Sequence, residues 1–295
     1  MSIIRRLTII HDLPTLPEIS LRIQHMVSSD EGDASMLSRL IQQDPSLTAK
    51  ILKLANSSLY GTSQRISSIP YAITRIGFNE VGNIAMAVSI IKTLHRKSNI
   101  LDYKQFWKHA LTAAHMASMT SQIGCIEYTP LQRQALFLSG LLHDIGILIY
   151  DQFFHQEFQT IIDYAFKHEI SYLDAEQAVA PKETHAALGA ALLEFWKLDP
   201  AVISAVRFHH QPEKAPVNQK AVTASTYLSE YVLCNSGLGS FEGLIVNQTN
   251  EMLEYMKITP DMLIKYMRQA EHEVQRSDLV LAMESTSNVL QLRAV

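Results

Sequence analysis

Cysteine is scarce in this chain, with only Cys125 and Cys234 among 295 residues. One pair cannot build a disulfide framework, so the expected setting is a reducing, cytoplasmic one. Glycine and proline are also thin, at 11 and 10 residues, which excludes collagen-like and linker-like chains. Charge is sparse at 18%, and 25 basic against 29 acidic residues leave a net of −4. Such a balance does not suit a protein built to grip a nucleic acid backbone, so no nucleic acid partner is expected. Long apolar runs are missing as well. The longest, residues 136–150, is broken by His143-Asp144 and falls short of the roughly 20 residues of a membrane span. Near the N-terminus, Arg5-Arg6 is followed by only Leu7-Thr8-Ile9-Ile10 before His11-Asp12. That is shorter than the apolar core of about 7–15 residues in a secretory signal. The chain reads as a soluble protein without a membrane partner.

What is present is apolar: 47% of residues are hydrophobic, enough to exclude intrinsic disorder and to build a large core. The punctuation is helical. Asp44-Pro45, Thr129-Pro130, Asp199-Pro200 and Thr259-Pro260 each pair a capping oxygen with a proline that has no N–H to lose at the first helical position. Ser171 and Asp174 are spaced as a capping box, and Gly77 and Gly124 stand where helices would stop. Val81, Ile84, Ala85, Val88 and Ile91 keep helical spacing, and Met86, Ala87 and Ile90 fill the other faces, which predicts a helix buried nearly all round. No run alternates with period two and no hairpin dipeptide occurs. The expected fold class is all-α, about a dozen helices. The seams fall at residues 94–102, with the polar run His95-Arg96-Lys97-Ser98-Asn99, and at 211–220, with Pro212 and Pro216.

Histidine carries the candidate chemistry, because neutral imidazole and carboxylate are the usual ligands of a hydrolytic metal. His143-Asp144 interrupts an apolar stretch, where an unpaired carboxylate is costly. A His–Asp pair stapling two helices and a metal site both answer that cost. His109 shares a face with Phe106, Ala113 and Met116, and His115 shares another with Leu111 and Met119, so spacing does not choose between them. His185 opens an apolar helix after Thr184. His209-His210 closes another, where the helix dipole alone would favour an imidazolium. No phosphate-binding glycine loop, His-Glu-x-x-His, Gly-x-Ser-x-Gly or Cys-x-x-Cys is present.

In order, His109, His143-Asp144, His185 and His209-His210 resemble the ligand series of the HD superfamily of metal-dependent phosphohydrolases, with the two-metal HD-GYP branch nearest among the catalytic members. Gly140-Leu141-Leu142-His143-Asp144-Ile145-Gly146 carries the core motif and Trp107-Lys108-His109 the first-ligand helix. The N-terminal part resembles the HDOD domain, an HD-related output domain of bacterial signalling proteins. That likeness rests on Leu13-Pro14-Thr15-Leu16-Pro17-Glu18 and on Ile41-Gln42-Gln43-Asp44-Pro45-Ser46-Leu47-Thr48. It continues through Leu54-Ala55-Asn56-Ser57-Ser58-Leu59-Tyr60-Gly61, Ile66-Ser67-Ser68-Ile69, Ala72-Ile73 and Ile76-Gly77.

The resemblance implies a multi-helical HD-like bundle. An HDOD domain would span 10–235 (an N-terminal helical part at 10–98 and a metal-site part at 99–235), followed by a helical tail of unassigned role at 236–295. It implies metal ligands at His109, His143, Asp144, His185, His209 and His210, an iron-, manganese- or zinc-like divalent cation, and a signalling protein as partner. Self-association stays open, and no catalytic residue is assigned. Departures from the family pattern, the first two above all, point away from turnover. The last HD ligand, an aspartate, aligns with Thr226 in Ala224-Ser225-Thr226-Tyr227-Leu228; another register would put a different acidic residue there, for example Glu230 one turn later. Ile147 stands where HD-GYP proteins carry a phosphate-facing lysine, and Gln105 where they often carry glutamate. The Gly-Tyr-Pro signature is absent. A regulatory protein with a degenerate metal site and little or no hydrolysis is therefore expected. The alternative is a metal-dependent phosphohydrolase acting on a nucleotide or cyclic dinucleotide.

Overall fold

A computed structural model describes residues 5, 7, 13–28, 32–60, 65–94, 100–123, 126–240, 246 and 250–291, the residues 283–291 as backbone only. Arg6, residues 8–12, Gly61, residues 95–99, Gly124 and Cys125 figure in the sequence reading and lie outside the described residues. The described residues are helical and contain no strand, and none of their helices is long and apolar enough to cross a membrane. The chain divides into two compact units, one of Pro14–His95 with Gln275–Val295, the other of Met1–Leu13 with Arg96–Val274.

The smaller unit holds α1 (Glu18–Ser28), α2 (Ala34–Gln42), α3 (Pro45–Ala55), α4 (Ile69–Ile76) and α5 (Phe78–Leu94). Asp44 caps α3 by accepting from the amides of Ser46 and Leu47, with Pro45 at the first turn. Gly77 ends α4 at φ 104°, a value that suits a residue without Cβ. In α5 every residue from Val81 to Ile91 except Asn83 is buried. That is the all-round burial its sequence predicts, and each large apolar side chain so buried contributes about 1.5–3 kcal/mol. The half-buried Arg276 of this unit pairs with the Glu80 carboxylate and the Tyr60 hydroxyl.

The larger unit holds α6 (Tyr103–Met119), α7 (Pro130–Leu142), α8 (Ile145–Phe153), α9 (His155–His168), α10 (Tyr172–Val179), α11 (His185–Phe195), α12 (Pro200–Phe208), α13 (Lys220–Asn235), α14 (Asn250–Tyr255) and the first part of α15 (Pro260–Gln291). Thr129 and Gln132 form a full capping box at α7. Ser171 caps α10, its hydroxyl engaging the Asp174 carboxylate and amide. Asp199 and Thr259 cap α12 and α15. Helix α6 packs on α7 and α13, α8 on α11, and α12 on α7, α11 and α13. These contacts bring together the ends of α7, α11 and α12, the start of α8 and the middle of α6 and α13.

Two glycines allow that convergence. A Cβ on Gly146 would stand 1.9 Å from the His185 carbonyl oxygen, and one on Gly140 would stand 2.6 Å from that of Ala113. Both helix pairs therefore touch backbone to backbone, which places His185 beside Asp144.

Candidate metal centre

Each candidate side chain is placed by a helix end or a buried helix face. His143 is the C-terminal cap of α7 and Asp144 precedes α8. His185 is the first residue of α11, capped by Thr184. His209 caps the C-terminus of α12, with His210 next. His109 comes from the middle of α6 and Glu230 from α13. Except for the half-buried His210, all are at most 2% exposed.

The structure brings His109, His143, Asp144, His185, His209 and His210 together and adds Glu230. They form two groups that share Asp144: His109, His143, Asp144 and Glu230, and Asp144, His185, His209 and His210. Within each group one potential ligand atom per residue lies within 4.8 Å of the others. In the first group Glu230 Oε2 is 2.8 Å from both His109 Nε2 and His143 Nε2. Asp144 Oδ2 is 3.3 Å from His143 Nε2 and 3.8 Å from His109 Nε2. In the second, Asp144 Oδ1 is 3.4 Å from His185 Nε2 and 3.5 Å from His209 Nε2. One carboxylate thus faces both groups, an oxygen toward each.

The imidazole tautomers follow from the outer partners. The Nδ1 atoms of His143 and His209 each lie 2.7 Å from the carbonyl three residues earlier, Gly140 and Val206. These are carbonyls that a helix end leaves without an amide partner. His109 Nδ1 lies 2.7 Å from the Leu238 carbonyl, and His185 Nδ1 lies 2.8 Å from Glu176 Oε2. A carbonyl or carboxylate only accepts, so all four Nδ1 atoms carry the proton and donate. The Nε2 lone pairs then point inward at one another: His109 to His143 at 3.1 Å, His185 to His209 at 3.2 Å and to His210 at 3.1 Å. Facing lone pairs repel unless a proton or a cation lies between them. Outer hydrogen bonds of this kind are how metal-ligating histidines are held, and donors about 2.0–2.1 Å from one cation lie about 3.0–3.4 Å apart.

Charge in the absence of a cation is balanced by protons. Burial opposes a charged His143, but the Asp144 and Glu230 carboxylates outweigh it and hold the imidazole well above its ordinary value. Burial likewise opposes a charged His185, yet Glu176 and Asp144 lift it to about 10. Asp144, against its burial, is held well below the usual carboxylate range by the imidazoles around it, His143 foremost. Glu230, against its burial, is held down by His109 and His143. Burial depresses His209, and His210 more strongly, with the neighbouring imidazoles adding to it.

Other candidates fall elsewhere. Thr226 is not part of the cluster; its hydroxyl lies 3.1 Å from the Val222 carbonyl oxygen and 3.0 Å from Ser139 Oγ. The anionic position is taken by Glu230, whose Oε1 accepts from Cys234 Sγ at 2.9 Å. Ile147 is a fully buried core residue. His115 packs edge-on against Phe137, outside both groups. Gln105 gives its amide to the Gly239 carbonyl at 3.1 Å. Sequence reasoning missed Glu176, which receives the His185 amide at 2.6 Å, its ring and the Tyr172 hydroxyl. It also missed Ser240, whose hydroxyl donates to Asp144 Oδ2.

Comparison with known proteins agrees with this architecture. A crystal structure of an HDOD domain protein with unknown function from Geobacter sulfurreducens is 25% identical, at a TM-score of 0.73 over 98% of this chain and 94% of that one. A Marinobacter aquaeolei VT8 protein provisionally named for signal transduction is 24% identical, with a TM-score of 0.72 over 92% and 59%. A Shewanella amazonensis SB2B protein provisionally named a phosphohydrolase is 19% identical, with a TM-score of 0.59 over 90% and 97%. These last two likenesses are of fold. An uncharacterised protein of Treponema pallidum is 28% identical over 222 residues, 73% of this chain and 41% of that protein. The chain thus spans less than half the length of the curated relatives it matches. The HDOD domain pattern matches residues 13–212, more than half of the sequence, and the chain therefore belongs to the HDOD domain family.

Proposed function

We propose that this protein is a bacterial signal-transduction module whose HD-type centre holds a pair of divalent cations, and that it acts through protein contacts with little or no phosphoester hydrolysis. The observation that carries the metal reading is the set of inward-facing Nε2 atoms, four of them fixed by outward Nδ1–H bonds, around a shared carboxylate. The donor set fits. His109, His143 and Glu230 would hold one cation and His185, His209 and His210 the other, with Asp144 bridging, and mixed imidazole and carboxylate ligands suit iron, manganese or zinc. When bound, such a cation supplies Lewis-acid polarisation of an oxygen ligand.

What speaks against turnover is that the described residues in front of the centre include no phosphate-holding cation. The cavity that meets the centre at Ser240 is lined by the carboxylates Asp102 and Glu169 and by no described Lys or Arg. Transition-state charge on a phosphoryl group needs preorganised donors, and losing one such donor costs about 10²–10³ in rate. Glu230 favours a second reading, a working metal-dependent phosphohydrolase, because it restores the carboxylate that Thr226 lacks.

One experiment separates the two. Metal analysis of the purified chain is paired with hydrolysis assays on a cyclic dinucleotide and a nucleotide in added manganese or iron. The expected result is bound metal, lost in His143→Ala and Asp144→Ala, without detectable turnover. Turnover abolished by those same substitutions would establish the second reading instead.

A further inference from the structure

We propose that the cavity in front of the centre is the entry route for divalent cations and that Ser240 is the gate between the cavity and Asp144; the proposal rests on the two-cation reading above. The cavity has a volume of about 760 Å³, and Asp102, Gln105, Glu169, Tyr172 and Ser240 supply its polar lining. The remaining wall is apolar, with no Lys or Arg among the described residues that line it. A concave site of one sign with low-dielectric walls concentrates ions of the other sign. On its described lining, this one favours cations over phosphoesters.

Ser240 stands at the inner end of the cavity, on a strap of three residues, 238–240, whose first and last are tied to the centre and whose middle one is tied to Gln105. The Leu238 carbonyl receives His109 Nδ1, the Gly239 carbonyl receives Gln105 Nε2, and the Ser240 hydroxyl donates to Asp144 Oδ2. The strap leaves α13 through Gly237 at φ 72°. Ser240 is 1% exposed yet lines the cavity, so its side chain stands between the open volume and the shared carboxylate. On the other side Tyr172 bonds Glu176 at 3.2 Å, and Glu176 holds His185. From the cavity, Asp144 is reached through one hydroxyl, that of Ser240, and His185 through two groups, the Tyr172 hydroxyl and the Glu176 carboxylate. The strap lies beyond the HDOD match, which ends at residue 212.

The test uses the full chain and Co²⁺, with loading followed in stopped flow by visible absorption and stripping by EDTA. Ser240→Ala removes one hydrogen bond to a charged group, so loading and stripping should both quicken about tenfold. Ser240→Thr keeps the donor, narrows the passage and should slow both. The double variant Asp102→Asn, Glu169→Gln keeps a capping side chain on α6, where Asp102 accepts from Lys104 and Gln105. Its loading should slow about tenfold at low salt and converge on wild type at high salt. Loading within about twofold of wild type, for either Ser240→Ala or the double variant at low salt, overturns the route while leaving the metal reading intact. A wild-type chain that takes up no Co²⁺ overturns the metal reading, and the route with it.

Discussion

The two halves of the centre answer the same demand by different means. Around His109 and His143 the second carboxylate is a direct participant, since Glu230 Oε2 sits 2.8 Å from both ring nitrogens. Around His185, His209 and His210 the second carboxylate stands one bond further out, with Glu176 holding His185 by Nδ1. A cation in the first half would be neutralised by its own ligands. One in the second half would rely on the shared Asp144 and on charge relayed through an imidazole. A cation at three neutral imidazoles is less compensated, so the Glu230 half should fill first and empty last.

The largest effect should come from Asp144→Asn, because that carboxylate serves both halves. Metal content after dialysis should fall in both, with an affinity loss beyond the about 10–100-fold typical of an outer-shell partner. Retention of one tightly held equivalent would break the shared-carboxylate reading. Glu230→Gln should act on one half alone: the His109/His143 cation is lost and the other stays. Loss of both cations in Glu230→Gln would show that the halves are one cooperative site.

A smaller effect concerns the metal-free protein and pH. His185 is lifted from 6.5 to about 10, by Glu176 and Asp144 against its burial. A group whose folded pKa lies above its unfolded one adds stability that is fully present below about 6.5 and is lost as pH rises toward 10. The Tm of chelator-treated protein should therefore fall between pH 7 and 10, and Glu176→Gln should flatten that fall. Loaded protein should lack it, since a ligating imidazole has already given up the proton. A metal-free Tm independent of pH across this window would remove Glu176 from its assigned place.

Much of this was legible in the sequence where the physics is local. Asp44, Thr129, Asp199 and Thr259 announce helix starts because a cap bonds amides two or three residues on. The order of histidines, read against the HD pattern, found six of the seven clustered residues. The seventh eluded a firm assignment because Thr226 and Glu230 are one turn apart on the same face of α13. A sequence register does not say which of two such side chains reaches inward. His109 and His115 posed a like difficulty to spacing alone; the family resemblance chose His109, and the docking of α6 on α7 and α13 places it in the cluster. Glu176 and Ser240 gave no signal, since each depends on a turn that returns the chain to the site. Glu176 depends on the link from α10 to α11, and Ser240 on the bend at Gly237.

The smallest effect tests the Glu230 half at its edge. Cys234 Sγ donates to Glu230 Oε1 at 2.9 Å, one turn further along α13. That bond leaves Oε2 as the oxygen facing His109 and His143. A thiol is a weak donor, and a typical intramolecular hydrogen bond is worth about 0.5–1.5 kcal/mol net. Cys234→Ala should therefore weaken the Glu230-half cation by about two- to tenfold, with the His185 half unchanged. Cys234→Ser supplies a stronger donor at the same place and should match or exceed wild type. A competition titration against a chelator, resolving the two equivalents, reads both. If Cys234→Ala instead weakens the His185 half, or if serine does worse than alanine, then Cys234 acts by packing and the orientation of Glu230 is set by the imidazoles alone.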